Sequence, residues 1–207
     1  MHPILKAEDL KFKHISYPHL EIQKNRTTFI SGDSGSGKSS LLAMFNGVLS
    51  PASGLVSYDG ADIVSLDLLA LRRDVLLVGQ SVFLFDKSIR ENFAEFYAAR
   101  KMPAPKDDII APYLSLCCLH FSPDAICASM SGGERHRVFI AIYLSFMPKV
   151  LMLDEPTAAL DEHTAFSLIQ NLTSFCKEND MTLVIVSHDH ALIEKFADHT
   201  IVLGGGV

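Results

Sequence analysis

Residues 27–49 read TTFISGDSGSGKSSLLAMFNGVL, and this stretch decides the fold. Its first four residues are β-branched or apolar, which predicts a strand, and the same kind of pattern predicts another strand at residues 10–15. Apolar residues recur at helical spacing from residue 41 to residue 49 and predict a helix that residues 51–54 (PASG) end. The segment between strand and helix fits G-x-x-x-x-G-K-[ST], the pattern of a phosphate-binding loop in the context that it requires. By itself the pattern predicts nucleotide binding and no particular reaction.

The chemistry of this loop follows from its glycines and from the residues that open the helix. Gly35 and Gly37 permit backbone angles that point successive N–H groups inward as an anion nest, and the helix N-terminus adds partial positive charge. Lys38 is predicted to reach the β- and γ-phosphates, and the Ser39 hydroxyl to ligate Mg²⁺. The predicted nucleotide-binding residues are Gly32, Asp33, Ser34, Gly35, Ser36, Gly37, Lys38, Ser39 and Ser40.

Two adjacent carboxylates follow a second apolar run. Residues 150–153 (VLML) predict a buried strand, and Asp154 and Glu155 come directly after it. A carboxylate at the end of that strand can hold Mg²⁺ through water, which makes Asp154 a predicted metal residue. Because side chains alternate along a strand, Glu155 points elsewhere and is free to take a proton from an attacking water. The alternative for the pair alone is a solvated acidic turn.

A second glycine-rich helix start follows Met130. Ser131 suits an N-cap, and Gly132 and Gly133 leave the first N–H groups of the helix uncovered by side chains. One nucleotide already occupies the loop at residues 32–39. A nucleotide held by another copy of the protein is therefore the predicted ligand of this second helix end. The alternative is a flexible cap, because S-G-G-x alone is a weak signal.

Taken together, these residues resemble a known family. Residues 130–135 (MSGGER), followed by residues 154–157 (DEPT), look like the signature and Walker B motifs of ABC-type ATPases, and the resemblance covers nearly the whole chain. It implies catalytic roles for Lys38, Glu155 and His188. The signature residues that the resemblance assigns to ATP bound by a partner copy are Ser131, Gly132, Gly133 and Glu134.

Further positions match the family one residue at a time. Asp161 matches the D-loop. Gln80 matches the Q-loop, which implies a contact to Mg²⁺ or the attacking water and to a membrane partner. His188 matches the switch histidine, which implies a contact to the γ-phosphate. The family usually stacks an aromatic residue on adenine ahead of the loop; Phe12 and His14 are the candidates, and Phe12 is the predicted one, with a core-facing strand residue as its alternative.

Strands, among them one predicted at residues 183–186, alternate with helices in the second half of the chain, which predicts a parallel sheet with helices on both faces. Mostly helical patterns fill residues 88–130 and predict a helical lobe inserted into the α/β domain. The resemblance implies an α/β fold with a RecA-like P-loop NTPase core, an N-terminal antiparallel β subdomain and this inserted α-helical subdomain. One ABC ATPase domain is predicted over residues 1–207.

Composition narrows the class of protein. The 207 residues carry 18 Lys and Arg against 24 Asp and Glu, a formal net charge of −6, and no basic cluster, so nucleic acid is not an expected partner. The longest apolar stretch, residues 138–153, is interrupted by Pro148 and Lys149, and it is shorter than the about 20 residues that a membrane span needs. No secretory signal or CxxC pair is visible. These features predict a cytoplasmic protein with reduced thiols.

The resemblance implies an ATP-binding subunit of an ABC transporter, with ATP and Mg²⁺ as cofactors. Two copies, or two different ABC subunits, are expected to pair head to tail on binding ATP. Separate transmembrane permease subunits are expected to hold the pair at the cytoplasmic face of the cell membrane. Residues 146–155 and the Gln80 segment look most similar to ATPases of bacterial metal (iron) efflux systems.

Three other classes compete with this interpretation. A different P-loop enzyme, such as a kinase or GTPase, would not need residues 131–133. A protein that recognises guanine would also be expected to carry the motif N-K-x-D, which this sequence lacks. A non-transport ABC ATPase of the repair or translation type would be expected to show a long coiled-coil insertion or a second ATPase copy. A catalytically silent module would be expected to have lost Lys38, Glu155 or His188.

Overall fold

The computed structural model describes residues 2–204, which form ten strands and seven α-helices. The strands are β1 (Pro3–Phe12), β2 (Ile15–Ser16), β3 (Leu20–Gln23), β4 (Thr27–Gly32), β5 (Ser53–Tyr58), β6 (Ala61–Asp62), β7 (Val75–Val78), β8 (Val150–Asp154), β9 (Thr182–Val186) and β10 (His199–Leu203). The helices are α1 (Lys38–Phe45), α2 (Leu68–Asp74), α3 (Ile89–Ala99), α4 (Asp107–Leu116), α5 (Gly132–Ser145), α6 (Glu162–Glu178) and α7 (His190–Phe196). Short 3₁₀ turns lie at Ile63–Ser65 and Cys127–Ser129.

The elements group into two units. Among the described residues, the first unit comprises 2–79, 148–155 and 173–204. The second unit comprises Gln80–Met147 and Pro156–Leu172. It therefore contains residues 88–130, the predicted helical lobe, and extends beyond them on both sides. The single-domain assignment and the lobe boundaries stay predictions.

A parallel sheet in the first unit has the strand order β10-β4-β9-β8-β7. β8 and β9 are buried along their whole length, which explains why their sequences are continuous apolar runs rather than alternating ones. Asp154 pairs with Val186, and Val186 pairs with Ile30, so the carboxyl ends of three neighbouring strands meet at one edge. Open parallel sheets bind their ligands at that edge.

The other sheet of the first unit is antiparallel and comes from the N-terminal part of the chain. β1 pairs with β2, β3 and β5, and β5 pairs with β6. Leu5 and Ile22 from this sheet share one apolar core with Phe45 of α1 and Met152 of β8. The predicted α/β class with an N-terminal antiparallel subdomain is confirmed.

The second unit is built mainly from helices. Buried side chains of α3, α4 and α5, such as Phe93, Ile110 and Ile140, form its interior. Aromatic rings add edge-to-face contacts, with the ring centroids of Phe96 and Phe139 5.4 Å apart. No helix of the described residues is long and apolar enough to span a bilayer.

Two element boundaries differ from the sequence prediction. The prediction that α1 continues to residue 49 is wrong, because Asn46 caps the helix and Gly47 adopts a φ of 68°. The Val48 N–H then donates to the Ala43 carbonyl at 2.8 Å, a helix stop of the kind that glycine favours. The strand predicted at residues 10–15 breaks into β1 and β2, because Lys13 turns the chain with a φ of 54°.

The four cysteines are free thiols. Burial raises the pKa of Cys176, on α6, to about 12. A thiol with that pKa carries little of the nucleophilic thiolate at pH 8. We therefore expect iodoacetamide to leave Cys176 unmodified in the native protein at pH 8 over a period in which it alkylates the half-buried Cys118. Peptide mass mapping measures both rates, and equal rates would contradict the buried placement of Cys176.

Candidate functional site

The loop between β4 and α1 curls around the ammonium group of Lys38. Lys38 is 6% exposed, and its Nζ lies 2.8 Å from the Gly32 carbonyl oxygen and 2.9 Å from the Asp33 carbonyl oxygen. Gly35 and Gly37 have φ values of 84° and 91°, in the left-handed region that favours glycine. The loop therefore has the glycine-dependent shape that an anion nest requires.

Tyr17 connects this loop to the antiparallel part of the unit through a hydrogen bond. The sequence prediction did not include Tyr17. Its hydroxyl donates to the Gly37 carbonyl oxygen at 3.0 Å, and the same oxygen accepts the first helical bond from the Leu41 N–H at 2.8 Å. A Cβ on Gly37 would lie 2.3 Å from the Tyr17 hydroxyl oxygen. Burial raises the pKa of Tyr17, so its hydroxyl keeps the proton that it donates.

We expect Tyr17→Phe to weaken ATP binding about fivefold, because a buried hydroxyl–carbonyl bond contributes roughly 1 kcal/mol. The substitution removes one of the two donors to the Gly37 carbonyl oxygen and loosens the loop at the start of α1. Titration with a fluorescent ATP analogue measures this. Tyr58→Phe is the matched control, since it removes a similar bond, from the Tyr58 hydroxyl to Asp74 at 2.9 Å, elsewhere in the unit. Equal ATP affinities in the two variants would contradict the role of the Tyr17 hydroxyl in holding the phosphate-binding loop.

Asp154 and Glu155 end β8 at the carboxyl edge of the parallel sheet. Asp154 is 5% exposed. Glu155 leaves the strand with a φ of 52°, and its N–H donates to the Val186 carbonyl at 3.1 Å. A non-glycine residue in this left-handed region is uncommon and stays there only when its surroundings hold it. β8 therefore ends at Asp154, and Glu155 departs from the extended backbone of the strand.

His188 lies beside Glu155. Its Nε2 is 3.2 Å from the Glu155 Oε1, a distance at which an Nε2–H donates to a carboxylate. Ser187, one residue earlier, donates its N–H to the Ile30 carbonyl at 3.2 Å, close to where β4 enters the phosphate-binding loop. The first unit thus brings together the loop, Asp154, Glu155 and His188. The direct contact between Glu155 and His188 was not part of the sequence prediction.

The second unit contains the predicted signature and D-loop residues. Ser131 caps α5, and its hydroxyl donates to the Glu134 Oε2 at 2.7 Å. A Cβ on Gly133 would lie 3.4 Å from the Ala159 carbonyl oxygen. The start of α5 therefore packs against the chain just before Asp161. Asp161 accepts bonds from the backbone N–H and the hydroxyl of Thr164, at 2.9 and 2.7 Å, and so caps α6.

The remaining predicted residues lie at the ends of their elements. Ser39 is exposed and Ser40 half-buried in the first turn of α1, and Gln80 is exposed two residues after β7. Phe12, the last residue of β1, is half-buried and packs against the core of the first unit. His14 is exposed in the turn that follows. Phe12 therefore also fits the core-facing alternative, and its stacking on adenine stays a prediction.

Comparison with known proteins identifies the class to which this site belongs. A family model described as ABC transporter matches residues 15–158. The chain is 32% identical to the energy-coupling factor transporter ATP-binding protein EcfA of Methanothermobacter thermautotrophicus, over 98% of this chain and 68% of that protein. The chain belongs to the ABC transporter family of ATP-binding proteins. ATP is therefore its nucleotide, and the kinase and GTPase alternatives are excluded.

Other ABC proteins extend the comparison. The methionine import ATP-binding protein MetN 1 of Pseudomonas syringae is 32% identical and matches all of this chain, which spans 64% of MetN 1. A solved structure, the dimeric post-hydrolysis state of an ATP-binding cassette bound to ADP and Pi, is 27% identical with a TM-score of 0.83, over 96% of this chain and 94% of that one. This chain has the fold of an ABC ATPase. Neither relative supports a non-transport ABC ATPase.

Proposed function

We propose that this chain is the ATP-hydrolysing subunit of a membrane transporter, in which two copies clamp two ATP molecules between them. The observation that carries the proposal is the contact between Glu155 and His188, at the sheet edge that also holds Asp154 and the phosphate-binding loop. A base held by a second group is the arrangement that positions and activates a nucleophile. In this chain the nucleophile is a water molecule.

The nucleotide site fits a triphosphate with magnesium. The buried Asp154 carboxylate and the Ser39 hydroxyl offer oxygen ligands of the type that Mg²⁺ prefers. We propose Ser39 and Asp154 as the magnesium residues, together with phosphate oxygens. The magnesium contact of Gln80, which the family resemblance implies, stays a prediction. The bound ion would neutralise charge on the phosphates. Lys38 and the N–H groups of residues 32–40 hold the β- and γ-phosphates.

Glu155 is the proposed general base, and it takes a proton from the water that attacks the γ-phosphate. His188 orients the Glu155 carboxylate through its Nε2–H. The contact of His188 with the γ-phosphate, which the family resemblance implies, stays a prediction.

The second half of each site is proposed to come from the other copy. Ser131, Gly132 and Gly133 at the start of α5 would point their donors at the triphosphate held by the partner's loop. Apart from its chain neighbours and the backbone of its own helix, no described residue has an atom within 4 Å of the place that a Cβ on Gly132 would occupy, so this end can be approached closely. Asp161 is the proposed D-loop residue at the same interface between the two copies.

Dimer formation tests the proposal directly. In a Glu155→Gln protein saturated with magnesium ATP, we expect a sizing column with light scattering to show a dimer, and single molecules with ADP. Adding Ser131→Arg should abolish the dimer while a fluorescent ATP analogue still binds, because the loop of each copy is intact. Single molecules in the parent, or an undiminished dimer in the Ser131→Arg variant, would overturn the proposal.

The transporter role requires separate membrane subunits, and we propose that they hold this chain at the cytoplasmic face of the membrane. Phe83 is 64% exposed, and its ring centroid lies 5.0 Å from that of Phe85, which is also exposed. We propose that this pair, just after Gln80, contacts the membrane subunits, because the Q-loop resemblance implies a membrane partner at Gln80. Similarity to metal efflux ATPases stays a prediction about the cargo.

A further inference from the structure

The second unit contains two serine–glutamate capping boxes with nearly the same geometry. At the start of α3, the Ser88 hydroxyl and N–H donate to the Glu91 Oε2 at 2.7 and 2.9 Å. At the start of α5, the Ser131 hydroxyl and N–H donate to the Glu134 Oε2 at 2.7 and 2.8 Å. The boxes differ in their surroundings, because Ser88 is 7% exposed whereas Ser131 is exposed to solvent.

The box at α5 uses donors that the proposed function assigns to a phosphate. A serine has one hydroxyl proton and one N–H, and in Ser131 both are directed at one oxygen of Glu134. The Glu134 N–H in turn donates to the Ser131 Oγ at 3.3 Å. The hydrogen bonds from Ser131 lower the pKa of Glu134, so its carboxylate is ionised at neutral pH.

We propose that the Glu134 carboxylate competes with the partner's triphosphate for the hydroxyl and N–H of Ser131, holding both donors while the copies are apart. The inference rests on the proposed function, since it assumes that Ser131 meets a phosphate held by the other copy. One hydroxyl proton cannot serve two anions, so Glu134 must rotate into solvent when the copies close. Glu134 thereby raises the ATP concentration at which the dimer forms.

Two physical effects give this competition its strength. Bonds from a hydroxyl or an N–H to an ionised carboxylate are roughly twice as strong as bonds between neutral groups. The carboxylate also repels a second anion that approaches the same helix end. A glutamine at position 134 keeps the size and the acceptor oxygen, but it weakens the bonds and removes the repulsion.

The test compares glutamine substitutions at the two boxes. In the Glu155→Gln protein, with protein and Mg²⁺ concentrations fixed, light scattering gives the ATP concentration at half-maximal dimer. We expect Glu134→Gln to lower that concentration about tenfold, because it removes charge assistance from two bonds. Glu91→Gln makes the same change in the box of α3, and we expect it to leave the concentration unchanged.

The outcomes separate this inference from the proposed function. If the Glu155→Gln parent stays a single molecule at saturating ATP, the proposed dimer itself is wrong. If the parent dimerises but Glu134→Gln needs the same or more ATP, the competition is wrong and the dimer stands. A fall of equal size in Glu91→Gln would also overturn the inference, because it would assign the effect to helix capping in general. ATP binding to the single molecule should be the same in all three proteins.

Discussion

Glu155→Gln is expected to lower the rate of ATP hydrolysis about 10³-fold while leaving ATP binding intact, since a positioned general base contributes 10²–10⁴-fold. Glutamine keeps the shape of the side chain and still accepts a bond from the His188 Nε2–H. It cannot take a proton from water at neutral pH. Release of inorganic phosphate under saturating magnesium ATP measures the loss, and a fluorescent ATP analogue measures binding.

Glu178→Gln is the matched control for this substitution. Glu178 is exposed at the end of α6, and we expect its variant to hydrolyse ATP at the parent rate. Undiminished phosphate release from the Glu155→Gln protein would refute the assignment of Glu155 as base. Equal losses in the two variants would point to a general effect of charge instead of a specific proton transfer.

Gly32→Ala is expected to destabilise the fold by about 4 kcal/mol, through a steric overlap and a strained backbone. Gly32 has a φ of 138°, and a Cβ there would lie 2.0 Å from the Leu203 carbonyl oxygen of the neighbouring strand β10. The obstacle is backbone, which cannot rotate away, so β10 must move. Thermal unfolding without nucleotide measures the effect, and we expect the melting temperature to fall by roughly 8–16 °C.

Gly35→Ala separates the overlap from the backbone cost. Gly35 also has a positive φ, 84°, but apart from its chain neighbours no described residue has an atom within 4 Å of its Cβ position. We expect a loss of about 1 kcal/mol, the cost of placing alanine in the left-handed region. If the two alanine variants melted at the same temperature, close packing of β10 on Gly32 would not be the reason why glycine stands at that position.

Local patterns predicted most of the fold because each depends on neighbours in sequence. The apolar runs of β8 and β9 predicted buried strands at nearly the observed bounds. The end of α1 was misplaced because a glycine stop at Gly47 competes with the apolar periodicity that continues to residue 49. The S-x-x-E spacing of Ser131 and Glu134 is the sequence signature of a capping box, and the structure has a capping box there.

The sequence by itself determined the motifs, their order and hence the family, because a strand, a glycine-rich loop and a helix in series can be recognised within one segment. Only the tertiary structure decided that Tyr17 holds Gly37, that Leu203 closes on Gly32 and that His188 reaches Glu155. In each case the two residues come from different segments, joined by sheet pairing and core packing. Their approach depends on how those segments pack, and no local spacing encodes it.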